Sequence, residues 1–140
     1  MGLRGNHDAL GRILIASGFF DPEVCHRVLY YRRAQDAAAY VLEHISRPLD
    51  LQTVADAVNM ERCAFSRYFG QKVGMTFSTF TRALRIAVAA QRLRESDDTI
   101  QELAAACGFA TAGTFLRAFK TVTGVTPTHY RHTRVGLLAG

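Results

Sequence analysis

Residues Ile100 to Arg131 read IQELAAACGFATAGTFLRAFKTVTGVTPTHYR, and this stretch decides the fold. Apolar Ile100, Leu103, Ala104 and Cys107 recur at i, i+3, i+4 and i+7, the spacing that gathers side chains on one face of a helix. Gly108 interrupts the pattern. Glycine enters the left-handed region without the penalty that a Cβ imposes, so a helix stop and a reversal are predicted there. A second period follows, with Phe115, Ala118, Phe119 and Val122 on one face and Thr114, Arg117 and Lys120 on the other. Two short helices about a tight glycine turn make a helix-turn-helix.

The same pattern occurs earlier in the chain. Val54-Ala55, Val58, Asn59 and Met60 match Leu103-Ala104, Cys107, Gly108 and Phe109 at an offset of 49 residues. Asn follows Gly in its tolerance of left-handed backbone, so Asn59 is predicted to turn the first unit as Gly108 turns the second. After one inserted residue the offset becomes 50, and Phe65, Arg67, Phe69, Gly74 and Phe80 fall on Phe115, Arg117, Phe119, Gly124 and Tyr130. Self-similarity at a fixed period marks a repeated unit. The chain is therefore predicted to hold two helix-turn-helix units, each followed by a glycine stop and a further helix.

Thr76 to Ser96 lies between them. From Phe80 to Leu93 this stretch is apolar on more than one face, which requires burial on several sides and predicts a linker helix sandwiched between the units. Roughly 20 residues at about 1.5 Å each span about 30 Å. Successive major grooves on one face of DNA lie about 34 Å apart, so one chain could present two helices where a dimer presents one from each subunit. Ser96-Asp97-Asp98-Thr99 supplies turn residues and a cap for the next helix.

Upstream, a short helix is predicted from Asp8 to Ser17, ended by Gly18. Asp21-Pro22-Glu23 is an N-cap, a first-position proline and a first-turn acid, so a helix begins at Pro22 and either ends near Arg33 or runs on into the next helix. Further helices are expected over Gln35 to Ser46, closed by Arg47-Pro48, and over Leu51 to Val58, led by Asp50 as N-cap. The fold class is all-α. Residues 1–34 form a helical extension or linker, read either as packing on the domain or as the remnant of a dimerising or regulatory element; residues 35–133 form the double helix-turn-helix domain and 134–140 a C-terminal tail.

With 140 residues, 49% of them hydrophobic, the chain suffices for one domain, or two very small ones sharing a core. No apolar run approaches the roughly 20 residues of a membrane span, and Ile13 to Ser17 is too short for a signal-peptide core. A cytoplasmic protein without a membrane partner is expected. Cys25, Cys63 and Cys107 are an odd count without close pairing, which argues against a disulfide framework or zinc cluster. The net charge of +5 leans toward a polyanionic partner, but residues 34–133 hold 11 Lys+Arg against 9 Asp+Glu, only +2. His129 and His132 form an i, i+3 pair, one short of the three protein ligands a zinc site needs. No P-loop, nucleophile elbow or paired-carboxylate arrangement occurs, so neither enzyme activity nor a cofactor is expected.

Set together, these motifs resemble the DNA-binding domain of the AraC/XylS family of bacterial transcriptional regulators. The resemblance rests on Ala55, Phe65, Ser66-Arg67, Phe69 and Gly74 in the first unit and on Arg85, Ala89 and Leu93 in the linker helix. In the second unit it rests on Ile100, Glu102-Leu103-Ala104, Gly108-Phe109, Phe115, Arg117, Phe119-Lys120, Gly124, Pro127 and Tyr130-Arg131. It implies a homeodomain-like domain of about seven helices that places two recognition helices in successive major grooves, and a regulator that recruits RNA polymerase. The residues ahead of the domain are too few for the ligand-binding β-barrel that many relatives carry, so no small-molecule effector is expected within this chain. Two positions depart from the family pattern. Glu61 replaces the usual capping serine, a poorer cap that would repel a nearby phosphate, and Gly70 replaces the usual lysine after Phe69, removing one backbone contact.

Base reading comes from the N-terminal halves of recognition helices. In the first unit the outward residues are Arg62, Cys63, Ser66 and Arg67. Arg67 is the foremost candidate, because a guanidinium contacts guanine O6 and N7 in a bidentate way; the competing reading pairs it with an acidic neighbour. Cys63 is read as a thymine-methyl contact, a redox sensor or an ordinary exposed thiol. The positions taken as equivalent in the second unit are Ala112, Gly113, Thr114 and Arg117, of which only Thr114 and Arg117 carry hydrogen-bonding side chains. Lys72, Arg85, Lys120 and Arg131 are candidates for phosphate contact, or for capping and solubility. Thin readout by the second unit and the modest charge leave open a second function: a helix-turn-helix protein-interaction module, antagonist or adaptor, with weak or lost DNA binding.

Overall fold

A computed structural model describes the backbone of residues 2–139 and the side chains of residues 7–133. Its elements are helices throughout: α1 (Gly2–Ser17), α2 (Pro22–Tyr30), α3 (Arg32–Glu43), α4 (Leu51–Ala57), α5 (Arg62–Val73), α6 (Phe77–Glu95), α7 (Ile100–Ala106), α8 (Ala112–Thr123) and α9 (Pro127–Ala139). The seven from α3 onward make the double helix-turn-helix. The caps fall where small polar side chains precede an apolar run: Asp21 accepts from Glu23 N, Asp50 from Thr53 N, Thr76 from Thr79 N and Thr99 from Glu102 N.

Both turns close in one way. The Asn59 amide donates to Asp56 O and Met60 N to Ala55 O; in the second unit Gly108 N donates to Ala105 O and Phe109 N to Ala104 O. This is the Schellman arrangement, with the left-handed residue at φ 59° for Asn59 and 83° for Gly108. Asn59 and Gly108 therefore do the same work, as the offset of 49 predicts.

The linker helix α6 is sandwiched. Phe77, Phe80, Ala83, Leu84 and Ala87 enter a core with Val54, Phe65, Phe69 and Val73 of the first unit, while Ile86, Ala89, Ala90 and Leu93 enter a second core with Leu103, Cys107, Phe115 and Phe119. Aromatic ladders repeat across the two: Phe65–Phe69–Phe80 in one, Phe115–Phe119–Tyr130 in the other, with centroid spacings of 5.2–6.0 Å.

Three boundaries differ from the sequence expectation. α1 begins earlier than Asp8 and buries Leu10, Ile13 and Leu14 in the first core against the alanine face of α3 (Ala34, Ala37, Ala38). α1 and α2 thus pack on the helices that follow them. The helix expected over 35–46 starts instead at Arg32, because a single extended residue, Tyr31, separates it from α2. At the other end the backbone stays helical to Ala139 through most of the expected tail, whose side chains lie outside the described residues, as does Gly140.

Candidate nucleic-acid interface

α5 and α8 are each 12 residues long and are related by an offset of 50 from cap to stop. Glu61 caps α5, its Oε2 accepting from Ala64 N at 2.9 Å, and Thr111 caps α8, its Oγ1 accepting from Thr114 N at 3.1 Å. Gly74 and Gly124, both left-handed, end them. With the inner faces buried through Phe65, Phe69 and Phe115, Phe119, the outer faces follow from the register. Arg62, Cys63, Ser66 and Arg67 are exposed on α5, and Gly113, Thr114, Leu116 and Arg117 on α8, with Ala112 half-buried.

The register corrects one pairing made from sequence. Ser66 corresponds to Leu116, not to Thr114, which corresponds to Ala64. The Thr114 hydroxyl is engaged locally, 2.9 Å from Thr111 Oγ1 and 3.5 Å from Arg117 Nη2. Leu116, 40% exposed, therefore stands on the outer face at the position equivalent to Ser66, which the sequence pairing gave to Thr114. The offset of 50 that sets Phe65 on Phe115 and Arg67 on Arg117 was the signal that could have placed it.

Glu61 is seated as a cap despite its length. Amide hydrogen bonds from Ala64 and Cys63 hold its carboxyl below the ordinary glutamate range, helped by the Cys63 thiol and the charge of Arg67. Arg67 makes no salt bridge with a described acidic residue, and its guanidinium is exposed on the outer face, with Glu61 near enough to feel its charge. Asp50 is likewise held low, first by the Thr53 amide, with Arg62 contributing from the start of α5.

The four candidates for phosphate contact separate. Lys120 is exposed on α8. The Lys72 ammonium sits over the Tyr31 ring, 5.2 Å from its centroid. Arg131 is drawn in to donate to Leu93 O, Ser96 O and Asp98 O at 3.0–3.2 Å. Arg85 is 8% exposed and donates to the carbonyls of Ile45, Arg47 and Cys107, so it caps turns inside the domain and is not available to a phosphate. Capping, the second of the two roles considered, describes Arg85 and Arg131. A further arginine is open to solvent: exposed Arg82 lines a groove of about 470 Å³ between α5 and the turn of the second unit, together with Ser66, Ser78 and Phe109.

Residues 54–133 match the helix-turn-helix domain family, from α4 into α9. Among curated proteins the chain is 32% identical over 98 residues to the regulatory protein SoxS of Escherichia coli K12, covering 70% of this chain and 92% of SoxS. It is 40% identical over 93 residues to the transcriptional activator RhaR of Cronobacter sakazakii, covering 66% of this chain but only 32% of RhaR. Among solved structures, an AraC-type regulator from Chromobacterium violaceum superposes with a TM-score of 0.70 at 26% identity, covering 74% of this chain and 92% of that one. The chain belongs to the AraC-type helix-turn-helix family. Another such domain, that of the global transcriptional factor AdpA, superposes with a TM-score of 0.67 at 28% identity over 71% of this chain and 89% of its own, and was crystallised with its target DNA. Within this AraC-type chain, α1, α2 and α3 lie ahead of the matched region, although α3 packs on α4 and α6 as part of the first unit. No helix among the described residues is long and apolar enough to cross a membrane.

Proposed function

We propose that this protein is a sequence-specific transcriptional regulator that binds double-stranded DNA through α5 and α8 in successive major grooves. The carrying observation is the equivalence of the two helices: same length, same capped start, same left-handed stop, same outward register, on either side of a 19-residue linker helix about 28 Å long. Arg62, Ser66 and Arg67 read bases for the first unit, with Cys63 beside them, and Leu116 and Arg117 for the second, with Ala112, Gly113 and Thr114 shaping the approach. Lys120 and Arg82 meet phosphates, Arg82 from the groove that separates the units. RhaR is named an activator, which supports contact of this chain with RNA polymerase at a promoter.

The test is a polarisation titration against DNA enriched from the genome, repeated at several salt concentrations. Log K should fall linearly with log[salt], with a slope of about −0.9 for each phosphate neutralised. A flat response, or no binding to any enriched fragment, overturns the reading in favour of a protein-interaction module.

A further inference from the structure

Arg85 leaves the middle of α6 and ends among three backbone carbonyls. Nη1 donates to Ile45 O and, at 2.9 Å, to Cys107 O; Nη2 donates to Arg47 O at 3.1 Å. Ile45 and Arg47 lie in the loop that leads from α3 into α4, in the first unit. Cys107 closes α7, in the second. One guanidinium therefore ties the linker helix to both units at once.

Arg131 offers an internal comparison. It caps Leu93 O, Ser96 O and Asp98 O, and this loop before α7 is the counterpart of the loop before α4 across the repeat. Each unit thus has an arginine that caps the loop in front of its helix-turn-helix, but only Arg85 also crosses the boundary. Elsewhere around α6 the two units meet through apolar packing, with Phe19 and Val88 touching both cores. Apolar contact is non-directional, whereas a planar fork of charge-assisted hydrogen bonds fixes an orientation.

Resting on the two-groove reading above, we infer that Arg85 is the positioning residue that sets α5 relative to α8, and so sets the separation of the two half-sites the protein accepts. It touches no DNA itself. Removing it frees the angle between units whose individual folds rest on their own aromatic cores.

The test uses the full chain with Arg85→Met, which removes every donor, and Arg85→Lys, which keeps a single charged head. Spin labels at native Cys63 and at Thr121→Cys report the distance between the recognition helices without DNA; Cys25 and Cys107 are buried and stay unlabelled. The parent should give a narrow distance distribution, Arg85→Met a broad one and Arg85→Lys an intermediate one, at equal helix content. On DNA, inserting or deleting one base pair between the half-sites should cost the parent about tenfold or more, while the Arg85→Met preference flattens to about threefold or less. Binding to a single intact half-site should be unchanged in all three.

A folded Arg85→Lys with a distribution as narrow as the parent's overturns the inference, whatever happens on DNA. If the parent prefers one spacing and Arg85→Met prefers it as strongly, the role of Arg85 falls and the two-groove reading stands. If the parent itself binds every spacing alike, both fall.

Discussion

The guanidinium of Arg85 occupies the space where a side chain at position 108 would begin: a Cβ built on Gly108 would lie 1.9 Å from Arg85 Nη1 and 2.5 Å from Ile45 O. Gly108 is thus fixed twice, by its left-handed φ of 83° and by the side chain that crosses from one unit to the other. Gly108→Ala should cost about 3 kcal/mol or more, since left-handed backbone accounts for about 1–2 and displacement of the buried fork adds to it. Asn59→Ala, at the equivalent turn, should cost about 1–2 from conformation alone. Urea midpoints of the two variants check this; equal losses would mean that Arg85 moves aside freely.

Arg67 and Arg117 hold the same place on their helices, but their neighbours differ. Arg67 stands with Arg62 and Ser66, whereas Arg117 stands with Gly113 and Leu116. Arg67→Ala should relax sequence preference at one base by about 1–3 kcal/mol and more than Arg117→Ala does. Leu116→Ala should remove a preference for thymine, whose methyl is the group an aliphatic side chain recognises in the major groove. Binding sites selected by the three variants decide the matter; a greater loss of specificity with Arg117→Ala would mean that the second unit leads.

How much of this was legible in the sequence depends on the range of the interaction. The turn at Gly108, the Asp21 and Asp50 caps and the sandwiched linker helix rest on contacts within a few residues or on helical period, and the offset of 49 to 50 carried them to the first unit. Arg85 was not legible in the same way. Its acceptors lie 22, 38 and 40 residues away, and arginine as a residue type points to the surface. The packing of Leu10 and Leu14 escaped for the same reason, since α1 covers a core built from segments far along the chain. Leu116 was missed for a smaller cause: Ser66 was paired with Thr114, two residues short of the offset of 50 that the other three pairs keep.

Arg82 tests the space between the grooves. It is exposed in the groove between the units and is joined to no described carboxylate. Arg82→Ala should weaken binding by a similar factor on every sequence and make the slope of log K against log[salt] shallower by about 0.9. Titrations of matched and scrambled DNA would show it; a loss confined to one sequence would make Arg82 a base reader instead.

Glu61 carries opposed effects on stability and on binding. Its folded pKa is depressed, first by the Ala64 amide, so protons bind the unfolded chain more readily as pH falls. The stability it contributes is complete above the ordinary glutamate value of about 4.3 and is lost as pH falls through the lower folded value. Glu61→Gln should therefore flatten part of the acid limb of the stability curve below about pH 4.3, leaving the share that Asp50 and Asp98, shifted in the same direction, still contribute. At neutral pH the same carboxylate stands at the start of the proposed reading helix, where DNA phosphates approach. Glu61→Ser keeps a hydroxyl cap of the kind Thr111 provides and removes that charge. It should bind DNA more tightly than the parent, with a gain that is largest at low salt and shrinks as the screening length falls from about 30 Å at 0.01 M to about 10 Å at 0.1 M. Equal affinities at low salt would mean that no phosphate comes near Glu61, and that α5 enters the groove by another approach.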